Sequence, residues 1–298
     1  MEEIKLAFVI LHFGNLEMTK KAIKSLNYGD EKIYIVLNGE DEKCKEFFIR
    51  EFPNIKTIFL DKNLGFAGGI NKGIRSALDD RFDYIFISNN DVIFEEKFSK
   101  KTKNIIKEIK GEKICFSPLI VNEEGKVWFS SGKFSYISGR AIHRDFGKKV
   151  YPKTKIESDY LTGCALCFPK ESVEDVGFLD ESYFLYWEDV DWSIKLKRKG
   201  FQFFVYPELK LIHLGSKSTK LESEIYLYYY FRNHLKFLTK NLSCFLLPIL
   251  AFFFLLNIIK LFSIWFLFYG KDGRKKIRAV YIGIRDFLMN KEGEVLFK

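Results

Sequence analysis

Apolar residues recur through the first hundred positions in two alternating rhythms. Short unbroken runs at 4–11, 32–37, 57–60 and 84–88 predict buried strands. Between them lie segments with one apolar face at helical spacing. Asn15 is placed to cap a helix in which Leu16, Thr19, Ile23 and Leu26 share a side. Residues 40–52 form a second helical segment, stopped before Pro53, and 69–78 a third, with Ile70, Ile74 and Ala77 together. Strands and helices alternating in this way predict right-handed crossovers. The expectation is an α/β fold, a mixed, mostly parallel sheet with helices on both faces. In such sheets ligands bind beyond the carboxyl ends of the strands. The residues there are His12 and Phe13, Asn38 and Gly39, the stretch 61–69, and Asn89 to Asp91.

The rhythm loosens after about residue 113, where short strands, turns and Gly dominate to about residue 168. A short helix follows Pro169 and runs to Val176. A loop covers 177–186, and 188–199 predicts a helix closed by Gly200. Short strands follow at 201–205 and 210–213, then a Tyr-rich helix at 222–241. From 245 to 269 the chain is almost wholly apolar, and a basic tail begins at Gly270. Two regions result: a body at 1–220 and a C-terminal helical region at 221–298.

Composition alters this picture little. The 298 residues are 47% hydrophobic and carry a net charge of +9. A basic balance suits nucleic acid, anionic membrane or phosphorylated ligands. No Lys/Arg stripe alternates with aromatics as in an RNA-binding module, so nucleic acid is not an expected partner. Cys44, Cys115, Cys164, Cys167 and Cys244 show no disulfide-framework spacing. The C-x-x-C at 164–167 lies in an apolar, strand-like stretch, which favours buried thiols over zinc or redox use. The opening MEEIKLAFVIL is acidic and short, unlike a signal peptide, so the body is expected in the cytoplasm.

Four places carry candidate chemistry. Asn89-Asn90-Asp91 ends a buried strand, either as a turn or as an oxygen site for a hard cation. Glu188-Asp189-x-Asp191 opens a helix, where acidic residues favour the helix dipole. The preceding Phe184 to Trp187 would desolvate those carboxylates and raise their pKa values, which suits a general base. NLGFAGGINKG at 63–73 has four glycines between strand and helix, either a simple turn or a backbone approach to phosphate or ribose. His213 is either structural or a partner of Asp91 at a metal.

Taken together, NLGFAGGINKG (63–73), DYIFISNND (83–91), the run 162–200 containing FLYWEDVD, and HLGS (213–216) resemble the family-2 glycosyltransferases on the GT-A fold, in their rhamnosyltransferase-like branch. The resemblance covers roughly residues 4–240. It implies a divalent metal, Mg²⁺ or Mn²⁺, on Asp91, with His213 a further metal or diphosphate ligand. Asn89 stands where many members carry the first carboxylate of an Asp-any-Asp motif. Asn63, Gly65 and Asn71 would line the donor pocket, and Phe13, Asn38, Phe66, Gly69 and Asn90 fall in the same strand-end stretches. Asp189 would deprotonate the acceptor, with Glu188 and Asp191 supporting it or binding acceptor hydroxyls. One departure stands out. The family usually has Val-Asp-Asn after the second strand, its Asp contacting the nucleobase, and here the residues are Val36-Leu37-Asn38. Lys170 replaces a common Arg.

The implied reaction is inverting transfer from a nucleotide-sugar donor to a saccharide acceptor. Two other readings stand beside it. One is a sugar-nucleotide-binding or scaffolding protein without catalysis. The other is a sugar-nucleotide-modifying enzyme, which lacks its expected glycine signatures here. For 245–269 three arrangements are open: in-plane or re-entrant on the inner leaflet, a single span, or a helical pair covering the body. Pro248, Asn257, Lys260 and basic flanks favour the first, at the cytoplasmic face. A lipid-linked saccharide would then be the acceptor.

Overall fold

The computed structural model describes residues 4–27, 29, 31–215 and 223–295. Ser216, the boundary drawn at 220/221 and Glu222, where a helix was expected to open, lie outside the described residues.

The first half alternates as its pattern predicts. Strands β1 (Leu6–His12), β2 (Lys32–Asn38), β3 (Lys56–Leu60) and β4 (Tyr84–Asn89) are separated by helices α1 (Leu16–Leu26), α2 (Glu42–Glu51) and α3 (Gly65–Asp79). They lie parallel in the order β3-β2-β1-β4. The chain reverses its direction of travel across the sheet at β1, where α/β folds place their ligands. Asn15 caps α1 by accepting from the Met18 amide at 3.1 Å. Thr19, Ile23 and Leu26 are buried beneath that helix.

Beyond β4 the order becomes mixed. A short strand β5 (Val92–Phe94) leads into helix α4 (Phe98–Ile109) and the long strand β6 (Ile114–Asn122). Strand β7 (Val127–Phe129) pairs with β6, and β8 (Gly132–Ser135) with β9 (Arg140–His143) forms a separate hairpin. Short β10 (Ile156–Glu157) forms one sheet edge. Strand β11 (Ala165–Pro169) runs antiparallel between β4 and β6. After helices α5 (Glu171–Val176) and α6 (Glu188–Arg198), strand β12 (Gln202–His213) lies parallel to β6. The two strands expected at 201–205 and 210–213 are thus one. Pro207 has no amide to give the ladder, so the register slips between Tyr206 and Lys210 while the strand continues.

Three further elements were not legible. Helix α4 hides its apolar face among lysines, β6 is buried almost throughout, and the basic tail is a helix, α9 (Gly270–Leu288). Helix α3 opens at Gly65, four residues before the expected Gly69, so the glycine stretch forms its first turns. Helix α7 (Glu224–Asn241) places Phe237 and Leu238 in the same core as the sheet. Its Leu227 and Phe231 join a second cluster with Ile258 and Trp265 of α8 (Leu247–Phe268) and Ala279 and Val280 of α9. The helices cross closely: a Cβ on Gly283 would lie 2.7 Å from the Tyr228 carbonyl oxygen. Helix α8 leaves Phe252, Leu255, Phe266, Leu267 and Phe268 exposed, so it does not form a buried cover for the body. Among the described residues, Cys244–Phe268 is a helical stretch long and apolar enough to cross a membrane.

Candidate active site

The strand ends build a cavity of about 260 Å³. Leu11 lies near the end of β1 with Phe13, Gly14 and Asn15 after it, Asn38 ends β2, and Asn89 ends β4 with Asn90 and Asp91 after it. Asn63, Gly65 and Phe66 come from the start of α3, and Phe184 to Tyr186 close the remaining wall. Among the described residues, Asp91 is the sole charged one in this lining.

The glycine stretch is held by its neighbours. Asn38 donates to the Asn63 side-chain oxygen at 2.9 Å and the Gly65 carbonyl at 3.0 Å, and accepts from the Leu64 amide at 2.9 Å. Asn63 accepts from the Gly65 amide, and the Phe66 amide donates to the Phe184 carbonyl at 2.7 Å. The amides of 64–66 are therefore committed within the protein. An approach of phosphate to them, expected from the glycines, is not available. Gly65 adopts φ +74°, and a Cβ there would lie 2.2 Å from the Phe184 carbonyl oxygen. Two expected lining residues sit elsewhere. Gly69 packs α3 onto the sheet, where a Cβ would meet Leu11 at 2.6 Å. Asn71 is fully buried and donates to the Leu179 carbonyl and to Glu181, tying α3 to the loop before α6.

Asp91 and His213 meet through strand pairing. His213, last in β12, pairs with Val92 in β5, and the Leu214 amide donates to the Asp91 carbonyl. His213 Nε2 lies 3.3 Å from Asp91 Oδ2. The Asp91 carboxylate is buried, and its Oδ1 has no hydrogen-bond partner in the protein. An orphaned buried carboxylate oxygen beside an imidazole is a fitting donor pair for a divalent cation.

Asp189 lies in the first turn of α6, half-buried. Its two oxygens accept from the Gly163 amide at 2.9 Å and the Val190 amide at 2.8 Å. Burial nevertheless raises its pKa above the ordinary carboxylate value. Glu188 is more deeply buried, has one oxygen without a partner, and is pushed well up by burial and by the Asp189 charge. Asp191 differs. It is fully buried and held by the Tyr183 hydroxyl at 3.1 Å, the Asn241 amide at 2.5 Å and Lys195 at 2.6 Å. It supports the loop and is not placed to bind acceptor hydroxyls. The Asp91 and Asp189 charges converge on Cys164, whose buried thiol is raised well above its ordinary pKa by burial first and then by both carboxylates. A Cβ at Gly163 would fall 2.8 Å from the Phe66 ring and 3.7 Å from Asp189 Cβ, so this backbone passes between cavity and base candidate.

Sequence reasoning missed the residues that shape the 183–187 loop. Phe184, Tyr186 and Trp187 all have positive φ, of 63°, 66° and 75°. Such backbone persists only where its surroundings over-determine it. Arg232 and Asn233 of α7 supply that constraint. Arg232 donates to the Tyr183 carbonyl at 2.9 Å, while Asn233 donates to the Tyr183 and Leu185 carbonyls at 2.6 Å each. Both are buried. A buried Arg-Asn pair inside YYYFRNHLKFL was the available signal.

With this geometry in view, the comparisons with known proteins are specific. Residues 8–177 match the family model for glycosyl transferase family 2, more than half of the chain, and the protein belongs to that family. It is a glycosyltransferase of the rhamnosyltransferase-like branch. A dTDP-rhamnosyl transferase of Shigella flexneri is 25% identical over 244 residues, 79% of this chain and 80% of its own. An N-acetylglucosaminyl-diphospho-decaprenol L-rhamnosyltransferase of Mycobacterium tuberculosis is 21% identical over 227 residues, 67% of this chain and 73% of its own. A crystal structure of GalNAc-T7 with UDP, GalNAc and Mn²⁺ superposes with a TM-score of 0.61 at 13% identity, over 79% of this chain and 48% of that one, which establishes the GT-A-like fold.

Proposed function

We propose that the protein transfers a sugar, with inversion, from a nucleoside-diphosphate sugar to a lipid-linked saccharide at a membrane surface in cell-surface glycan synthesis. One observation carries this reading: the buried Asp91 carboxylate, orphaned at one oxygen, lines the donor cavity, and Gly163, whose amide holds the pKa-raised Asp189, packs against Phe66 of that same lining.

In the proposed mechanism the donor lies in the strand-end cavity, its base and ribose among Phe13, Asn15, Asn38 and Asn63. Asp91 and His213 would hold the Mg²⁺ or Mn²⁺, which would supply charge neutralisation for the diphosphate leaving group. Asp189 accepts the proton of the attacking acceptor hydroxyl. Its raised pKa brings it nearer to neutrality and makes it a stronger base than an exposed carboxylate. Attack from the face opposite the diphosphate inverts the anomeric centre. Burial, and then the Asp189 charge, disfavour ionisation of Glu188 and so oppose a second charge beside the base.

Two features support the membrane part. The exposed apolar face of α8 has few partners within the protein, and α9 carries Lys271, Arg274, Lys275, Lys276 and Arg278 beside it. That combination suits an anionic inner leaflet. The Mycobacterium tuberculosis relative carries a polyprenyl-linked acceptor in its name.

A panel of nucleoside-diphosphate sugars tests the donor and the cation together, by thermal shift and by nucleotide release, with Mn²⁺ and with chelator. A donor that stabilises the protein with Mn²⁺, and transfer that chelator abolishes, are expected. Full transfer in chelator would remove Asp91 and His213 from the proposed role.

A further inference from the structure

A second cluster of ligand-type side chains lies beside the donor cavity: His12, Glu40 and Cys44. His12 ends β1 and is fully buried, Cys44 sits buried in the first turn of α2, and Glu40 lies just before that helix. The His12 Nε2 atom is 3.4 Å from Cys44 Sγ and 3.6 Å from Glu40 Oε1. All three ligand atoms fall within 4.8 Å of one another.

The two spacings from His12 Nε2 match a known geometry. Tetrahedral zinc binds sulfur at about 2.3 Å and nitrogen or oxygen at about 2.0–2.1 Å, so its sulfur and nitrogen ligands lie about 3.5 Å apart and its nitrogen and oxygen ligands about 3.4 Å apart. The ring also turns Nε2 toward the thiol and the carboxylate, with Nδ1 held by polar groups on the opposite side. Thr19 Oγ1 donates to the Asn15 carbonyl, accepts from the Asn90 amide at 2.8 Å and lies 2.6 Å from His12 Nδ1. In the tautomer that a metal would select, Nδ1–H donates to this hydroxyl and Nε2 meets the cation with its lone pair. Metal-binding histidines are oriented in this way by a partner on the other ring nitrogen.

We propose that His12 Nε2, Cys44 Sγ and a Glu40 carboxylate oxygen form a structural site for a thiophilic divalent cation, zinc, with water as the fourth ligand. On binding, the Cys44 thiol proton leaves to solvent and the thiolate joins the metal. The sulfur separates this site from the oxygen-and-nitrogen pair of Asp91 and His213, which suits a harder ion. Its consequence is mechanical. Glu40 Oε1 also accepts from the Gly14 amide at 2.7 Å, and Phe13, Gly14 and Asn15 line the donor cavity. A cation here fixes that loop from beneath. The inference does not depend on which donor or acceptor the enzyme uses.

Cobalt substitution of the full-length, metal-free protein tests it. Co²⁺ is expected to give a near-ultraviolet thiolate-to-cobalt charge-transfer band that C44S abolishes. The C164S variant is the control, because Cys164 neighbours Asp91 and could supply a thiolate to that ion instead. A band that C164S removes and C44S retains, or no thiolate band at all, would overturn the proposal. Should C44S fail to fold, the wild-type protein still decides. Zn²⁺, and not Mg²⁺, is expected to protect Cys44 from alkylation read by peptide mass spectrometry, and equal labelling with the two ions would refute the site.

Discussion

Removing the Asn233 amide tests whether the loop before Asp189 is held rather than intrinsically formed. Asn233→Ala deletes the donors to the Tyr183 and Leu185 carbonyls and strands Arg232 Nε, which donates to Asn233 Oδ1 at 2.9 Å. Arg232 still reaches the Tyr183 carbonyl. Two net hydrogen bonds at about 0.5–1.5 kcal/mol each, with a buried group left unpaired at about 1–3 kcal/mol, give a loss of about 2–6 kcal/mol. Against this, each non-glycine residue with positive φ in the loop stores about 1–3 kcal/mol, and three of them are waiting to relax. The cost of the lost bonds therefore matches the strain they hold, and the loop is expected to rearrange rather than merely soften. Asp189 follows two residues later, and a displacement of about 1 Å at a catalytic group costs roughly a hundred-fold in rate. The assay is single-turnover transfer, with circular dichroism to confirm folding. Donor affinity should fall as well, since Phe184 to Tyr186 line the cavity. The isosteric Asn233→Asp, which turns oxygens towards the same carbonyls, should be at least as damaging. A folded Asn233→Ala protein with turnover within about tenfold of wild type, or about 1.4 kcal/mol of barrier, would refute the reasoning.

Other outcomes follow from the same site. Asp189→Asn is expected to lose at least about a hundred-fold in turnover with donor binding retained; wild-type-like turnover would remove Asp189 as the base. Glu188 has a folded pKa raised above its unfolded value, so its ionisation disfavours folding, and stability falls as pH rises from about 4.5 towards the folded pKa. In Glu188→Gln that decline is expected to be smaller, and parallel melting-temperature profiles for the two proteins would count against a buried carboxyl there. Gly65→Ala should abolish donor binding before it unfolds the sheet, because its Cβ meets loop backbone and not a flexible side chain; unchanged binding in a titration would refute this.

The parallel half of the sheet was legible because each of its strands is short, apolar and bounded by helical spacing. The later half was not, for identifiable reasons. Strand β6 is buried almost throughout, so it shows no alternation to mark it. The Pro207 bulge made β12 resemble two strands. In the site, Asp91, His213, Asp189 and Glu188 were legible as candidates, and the strand pairing explains why the first two meet. Asn71, Gly69 and Asp191 were legible only as positions in a motif. Their side chains, or the absence of one, serve packing and loop support, which depends on tertiary partners far along the chain. Arg232 and Asn233 act on carbonyls of a loop about fifty residues earlier, a relation that no local pattern encodes.

Because α7 carries both these residues and the contacts to α8 and α9, the apolar hairpin has a structural role separable from the membrane attachment proposed for it. Leu227 and Phe231 of α7 are buried against it, Tyr228 donates to Asp286 of α9 at 3.0 Å, and Arg232 reaches the Gly293 carbonyl. Deleting everything after residue 243 would expose both apolar side chains, at about 1.5–3 kcal/mol each, and remove those hydrogen bonds from the helix that holds the base loop. Such a truncation is expected to lose transfer to soluble as well as lipid-linked acceptors, so it cannot by itself report on membrane attachment. Substitution of exposed α8 residues, such as Phe252→Ser with Phe266→Ser, leaves that packing in place. The double variant should dissociate from anionic vesicles yet keep its turnover on a soluble acceptor. If it stayed bound to vesicles, α8 would not be the anchor. If the truncated protein instead transferred normally to soluble acceptors, the hairpin would be an appendage and the base loop would draw its order from elsewhere.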